Sequence, residues 1–155
     1  MARCRIICVG KLKTGYWQQA CEHYLRLLKP VRPVEIVEVR DGDARLAPEA
    51  RPGQEGGRIL AQLAPNDWPI ALHETGRMLT SREFAALLGE CDMERLKRPA
   101  FIIGGPFGLA EDVLRAAGMR LSLSPMTWPH ELARVLLTEQ LYRAESILRN
   151  RPYHH

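Results

Sequence analysis

Phe101-Ile102-Ile103-Gly104-Gly105-Pro106-Phe107-Gly108-Leu109 and, a little further on, Leu121-Ser122-Leu123-Ser124-Pro125-Met126-Thr127-Trp128-Pro129 are the passages whose reading decides the fold. Each opens as a strand-like apolar run, breaks into glycine or proline, and leads into a helix-like segment. Loops of that kind fall at the carboxyl ends of parallel strands, where an α/β sheet presents its ligand crevice. Everything outward from them reads as scaffold for that crevice or as surface for a substrate.

Between the two passages, Leu109 to Gly118 predicts a short helix with Glu111 and Asp112 in its first turn, and Met119 to Leu123 a fifth strand. Arg98 to Ile103 is then the fourth strand, placed centrally by its neighbours. Upstream, Pro69-Ile70-Ala71-Leu72-His73 is a short third strand running into a turn at Glu74-Thr75-Gly76. Ser81 reads as the N-cap of a helix whose Phe84, Leu87 and Leu88 share one face. Arg5 to Val9, the apolar stripe from Tyr16 to Lys29, and the alternating Val34 to Val39 make a β-α-β unit at the start of the chain. Asp41 to Gly57, rich in glycine, proline and charge, reads as a mobile connection, with a helix from about Glu55 to Ala64 at most. Alternation of strand and helix predicts an α/β fold, a parallel sheet with helices on both faces, in a single domain over residues 1–155.

A chain of 155 residues with 46% hydrophobic and 26% charged residues can bury a core without staples. No apolar run approaches the roughly 20 residues of a membrane span, and the N-terminus has no secretory pattern, so the expectation is a soluble cytoplasmic protein away from membranes. Cys4, Cys8, Cys21 and Cys91 show neither CxxC spacing nor a histidine pair; they are read as buried thiols, with no metal site expected. The net charge of +4 tilts towards an anionic partner.

The glycine loop is neither GxGxxG nor a Walker sequence, and Glu111 and Asp112 at the following helix start would repel a phosphate. That leaves room for an uncharged or cationic ligand bound mainly by backbone; taken alone, the loop reads equally as a structural turn. In the second loop two prolines fix the backbone at both ends, while Met126 and Trp128 supply apolar contact. The last helix, His130 to Asn150, carries a broad apolar face and a second row of Val135, Glu139, Tyr142 and Ser146, which suits packing on the sheet, on a second subunit, or on both. Glu139 in that row reads as a paired carboxylate, a surface residue or a catalytic group. Arg134, Arg143, Arg149 and Arg151, with His154 and His155, place the basic excess at this end.

Taken together, Ile102 to Leu109, Leu121 to Ser124 with Thr127, Pro129-His130, Arg134-Val135-Leu136, Glu139 to Ala144 and Pro152-Tyr153-His154 closely resemble the RlmH family. These are bacterial SPOUT-class methyltransferases acting on N3 of a pseudouridine in large-subunit (23S) ribosomal RNA. Val9-Gly10-Lys11 and Leu72 to Gly76 also fit, so the resemblance spans nearly the whole chain. It implies a SPOUT-type sheet with a C-terminal deep trefoil knot, a homodimer, and S-adenosyl-L-methionine held by the knot loops.

By position, the resemblance makes Leu72, Gly105, Ser124, Pro125, Met126, Thr127, Trp128 and Pro129 the cofactor residues. His154, Glu139, Arg143 and Tyr153 become the catalytic candidates, and His130, Tyr142, Arg134 and His155 the residues facing ribosomal RNA in the assembled ribosome. Two departures from the family pattern stand out: His155 replaces a usual Arg or Lys, and the Asp41 to Gly57 connection is acidic and proline-rich where relatives often carry lysines. A non-catalytic RNA-binding module of the same fold and a nucleotide-binding α/β domain are the rival readings.

Overall fold

The structure, a computed structural model, describes residues 3–93 and 97–153. Five strands, β1 (Cys4–Val9), β2 (Val34–Val39), β3 (Asp67–Met78), β4 (Arg98–Ile103) and β5 (Met119–Ser122), form one sheet in the order β2-β1-β4-β3-β5. Every pairing is parallel. Five helices connect them: α1 (Gly15–Leu28), α2 (Arg51–Leu60), α3 (Ser81–Met93), α4 (Glu111–Ala116) and α5 (His130–Leu148). The expected central position of β4, between β1 and β3, is what the sheet shows.

Why both faces are covered follows from the strands themselves. All six residues of β1 are buried, and their period of two splits them between layers. Cys4, Ile6 and Cys8 join Phe101 and Ile103 under Leu28, Leu88, Leu137 and Leu141 of α1, α3 and α5. Ile7, Val9 and Ile102 turn to the other side against Ile59 of α2 and Val113 of α4. A strand buried on both faces needs an unbroken apolar run, which is what β1 and β4 have.

Helix α5 is fastened at both ends. Near its start the Glu131 carboxylate accepts from the Lys13 and Thr14 backbone N–H groups, and the Thr14 hydroxyl donates to it at 2.9 Å. Arg134 points inward, 3% exposed, donating to the Gly10 carbonyl at 2.9 Å and to Glu38 at 2.7 Å. Near its end Glu145 accepts from the fully buried Arg32 at 2.6 Å, and the same guanidinium grips Asp92. Removing one partner from a buried network of this kind costs roughly 3–5 kcal/mol because it strands the others.

Three local expectations change. β3 does not end at His73; it bulges and resumes, with Leu72 and Arg77 both opposite Leu121 of β5. The expected turn at Glu74 to Gly76 is that bulge, and a Cβ at Gly76 would meet the Arg120 carbonyl carbon at 2.7 Å, so only glycine lets the backbones pass. The Asp41 to Gly57 connection is structured: a 3-10 turn at Pro48–Ala50 runs into α2, which starts at Arg51, four residues before the expected Glu55. Proline at the helix start sets this register, since its missing N–H needs no partner there. At α3 the cap is Thr80 instead of Ser81: Thr80 and Glu83 bond each other's backbone N–H reciprocally, while the Ser81 hydroxyl reaches Gln140.

Cys4, Cys8, Cys21 and Cys91 are all buried, the placement the sequence led one to expect. Burial pushes the thiols of Cys4 and Cys8 up to about 12. Among the described residues no helix is long and apolar enough to cross a membrane, and no group of His, Cys, Asp and Glu could hold a metal ion.

Candidate active site

At the carboxyl ends of β3, β4 and β5 the chain opens a cleft of about 920 Å³. One wall is the bulge of β3 with Leu72, His73 and Glu74; the floor is Ile103 and the Gly104 to Leu109 loop; the opposite wall is Leu123, Ser124 and Met126 to His130, with Ala133 of α5. The volume lies in the range that encloses a small organic ligand.

Local chemistry shapes each wall. The glycine loop closes on itself by a bridge between Gly105 and Gly108, and Gly108 adopts φ +83°, a left-handed turn that a side chain would strain. In the second loop the Ser122 hydroxyl donates to the Ser124 carbonyl at 2.9 Å, and the Ser124 hydroxyl accepts from the Met126 N–H at 3.0 Å. These bonds hold the loop between its prolines. The Thr127 hydroxyl reaches across to Glu74 at 3.4 Å, joining the two walls.

A second cluster lies near the other end of α5. Arg143 donates to Glu139 Oε1 at 2.7 and 3.0 Å, Gln140 donates to Oε2 at 2.7 Å, and the Tyr153 hydroxyl donates to Oε1 at 3.3 Å. The Arg143 guanidinium also sits 4.9 Å over the Tyr153 ring, and Tyr142 meets that ring edge-on at 4.8 Å. Burial first, then Tyr24 and Glu139, raise the Tyr153 phenol above its ordinary value, so it stays protonated and donates. The bond to Glu139 raises Arg143, fixing its charge. Glu139 is therefore a paired, half-buried carboxylate that orients its neighbours.

The cleft gathers Leu72, Gly105, Ser124, Met126, Thr127, Trp128, Pro129 and His130 in one lining; Pro125 is exposed and stands outside it. Glu139, Tyr142, Arg143 and Tyr153 meet in the second cluster. Arg134 is a correction: instead of facing RNA it spends its guanidinium inside the fold on Gly10 and Glu38. His154 and His155 lie outside the described residues. Helix rise, about 1.5 Å per residue, separates Arg143 from His130 by roughly 20 Å, so the two groups do not meet within one chain.

Sequence reasoning passed over His73 and Glu74, whose signal was their place just beyond a parallel strand, and Glu55, which carried none. Glu55 is 3% exposed, and its Oε2 lies 3.2 Å from where a Cβ on Gly105 would stand.

Two imidazoles, one carboxylate and no Lys or Arg line the cleft among the described residues. Such a lining is poor for a phosphate ester and suits a ligand that is neutral or positive and partly apolar. An α/β protein whose cleft at the strands' carboxyl ends is largely apolar and holds no Lys or Arg among the described residues is the class that fold and site define.

Comparison with known proteins sharpens this. Residues 2–154 match the family described as "Predicted SPOUT methyltransferase". A protein of Nitratidesulfovibrio vulgaris (strain Miyazaki F), named Ribosomal RNA large subunit methyltransferase H, is 52% identical over 155 residues, the full length of both chains. One of the same name from Desulfovibrio desulfuricans is 53% identical over 151 residues, 97% of this chain and 96% of its own. The solved structure of a probable methyltransferase from Bordetella pertussis Tohama I superposes with a TM-score of 0.56 over 93% of this chain and 96% of that one, at 18% identity, and shares the fold. The chain belongs to the SPOUT methyltransferases and, among them, to the RlmH family.

Proposed function

We propose that this methyltransferase transfers a methyl group from S-adenosylmethionine to N3 of a pseudouridine in large-subunit ribosomal RNA, as a cytoplasmic homodimer acting on the assembled ribosome. The observation that carries the proposal is the cleft: the two loops on which the family resemblance rests fold against each other into one slot. Relatives of that name match from end to end. A lining without Lys or Arg speaks against the nucleotide-binding alternative.

When bound, S-adenosylmethionine supplies an electrophilic methyl on a positively charged sulfur. The chain's own work is to orient and to handle a proton. Leu72, Ile103 and Met126 offer apolar contact, the glycine loop gives close backbone approach, and the proline-braced loop keeps the slot preformed. An imide N–H must lose its proton to attack. His154 is the proposed acceptor. Arg143, fixed in charge and direction by Glu139, stabilises the anion that forms. The phenol of Tyr153 acts with it as a hydrogen-bond donor.

The distance of roughly 20 Å along α5 bears on the homodimer. Since slot and cluster stand apart within a chain, a second copy's tail is needed to bring Arg143, Tyr153 and His154 to the methyl. Exposed Met78, Met126 and Trp128 next to a recess of about 300 Å³ between α3, β5 and α5 support burial of that face in a dimer. The trefoil knot is inferred from family membership, with β5 pairing at the sheet edge before α5 returns across α1 and α3.

Mass spectrometry of ribosomal RNA from cells with and without the protein tests the reaction: the methylated pseudouridine should vanish with the gene, and its persistence refutes the assignment. Mixing Gly105→Val with Arg143→Ala, each inactive alone, tests the shared site. Mixed dimers should recover roughly a quarter of wild-type transfer, one competent site in half the dimers; no recovery refutes completion across the dimer. His154→Ala should lose transfer at unchanged donor affinity, and undiminished turnover rejects His154 as the acceptor.

A further inference from the structure

Behind the floor of the cleft stands a carboxylate that the proposed reaction does not use. Glu55 of α2 is 3% exposed; its Oε1 accepts from the Gly42 N–H at 2.9 Å, and its Oε2 has no hydrogen-bond partner among the described residues. A Cβ built on Gly105 would meet Oε2 at 3.2 Å and Oε1 at 3.4 Å, so the carboxylate abuts the residue that floors the slot, one glycine's thickness from any ligand. The cations of its own helix are engaged elsewhere. Arg51 donates to the Leu46 and Ala44 carbonyls and lies over the Phe107 ring at 5.1 Å, while Arg58 donates to the Arg40 and Asp41 carbonyls. No Lys or Arg of the cleft lining offers a substitute.

A buried, half-satisfied carboxylate is costly unless a positive charge lies near it. We infer that Glu55 is a positioning residue that biases the slot, through Gly105, towards a positively charged ligand over its neutral counterpart. The inference rests on the methyl-donor reading and extends it. In the donor the sulfur is a cation; in the product left after transfer it is a neutral thioether, so a fixed negative charge favours loading of donor over retention of product. Glu74, on the cleft wall and exposed to solvent, is screened and adds less. Glycine at position 105 fits the same account, since a side chain there would separate the carboxylate from the slot.

The test is calorimetric titration of the wild type, Glu55→Gln and Glu55→Asp with three ligands: S-adenosylmethionine, sinefungin, whose amine cation replaces the sulfonium, and neutral S-adenosylhomocysteine. Glutamine keeps the acceptor for Gly42 and removes only the charge. Glu55→Gln should bind the two cationic ligands about tenfold more weakly and the thioether almost unchanged. Glu55→Asp, which keeps the charge, should retain the preference and serves as the reference if the glutamine variant melts early. Equal weakening of all three ligands means that Glu55 only shapes the loop, and overturns the inference, as does no weakening of any. A wild type that binds none of the three removes the methyl-donor reading itself, an outcome that separates the two failures.

Discussion

At the carboxyl edge of the sheet the chain leaves β3, β4 and β5 through a bulge, a glycine loop and a proline-braced loop, and the cleft between them is lined largely by backbone and apolar groups. At the amino edge the same sheet is closed by charge. Asp67 at the start of β3, its side chain fully buried, takes hydrogen bonds from Arg5 and Arg98, each at 2.7 Å, and from the Ala64 N–H at 2.8 Å, while Glu35 of β2 pairs with both arginines. The contrast divides labour within one sheet: the closed edge holds the strands in register, and the open edge keeps its polar groups for a ligand. Binding is expected to depend on the one and stability on the other.

The largest effect should come from the closed edge. Asp67→Ala leaves the buried Arg5 without its main partner and should lower unfolding free energy by roughly 3–5 kcal/mol in urea titrations, with donor affinity unchanged at temperatures where the variant is folded. Donor binding that falls in parallel would erase the division. Next, Gly105→Val presses a side chain onto the buried Glu55 and Val9, each 3.2 Å from the added Cβ, and so pushes the glycine loop towards the slot. Calorimetry should show at least a hundredfold loss of donor affinity, about 2.7 kcal/mol, with a fall in melting temperature well short of that in Asp67→Ala. A large drop in melting temperature would mean that the open edge also carries the fold.

Acid should also weaken the closed edge. Burial would raise the Asp67 carboxyl, but the bonds from Ala64, Arg98 and Arg5 outweigh it and hold the group below its ordinary value. A lowered folded value gives stability that is complete above the unfolded value of about 4 and is lost as pH falls through the folded one. Melts from neutral to acid pH should therefore fall off below about pH 4, and less steeply in Asp67→Asn. The smallest effect concerns neither edge. Tyr153→Phe removes one hydrogen bond to Glu139 and should slow transfer by about fivefold, near 1 kcal/mol, at unchanged donor affinity.

Periodicity made most of this architecture readable. Alternation in Val34 to Val39 and the apolar stripes of α1 and α5 are properties of single segments, and they fell where the sequence predicts them. The slot was readable for a different reason: its two loops carry backbone-governing residues, glycine and proline, whose effect needs no distant partner. Features decided by contacts far along the chain were not. Arg134 belongs with Arg143, Arg149 and Arg151 to the basic excess at the end of the sequence and reads as surface, yet the Gly10 carbonyl and Glu38 draw it inside. The bulge after Leu72 depends on β5, about fifty residues on, and Glu55 shows its place only once α2 has packed behind the glycine loop.

The buried sulfurs set how this chain can be handled. With Cys4 and Cys8 pushed up to about 12, the Cys21 thiol also raised by burial and Cys91 enclosed, a maleimide offered to the native protein meets sulfurs shut away from it. Labelling then becomes a clock for unfolding, and a cysteine introduced on the exposed face of α1 can carry a fluorophore without removing the natural ones.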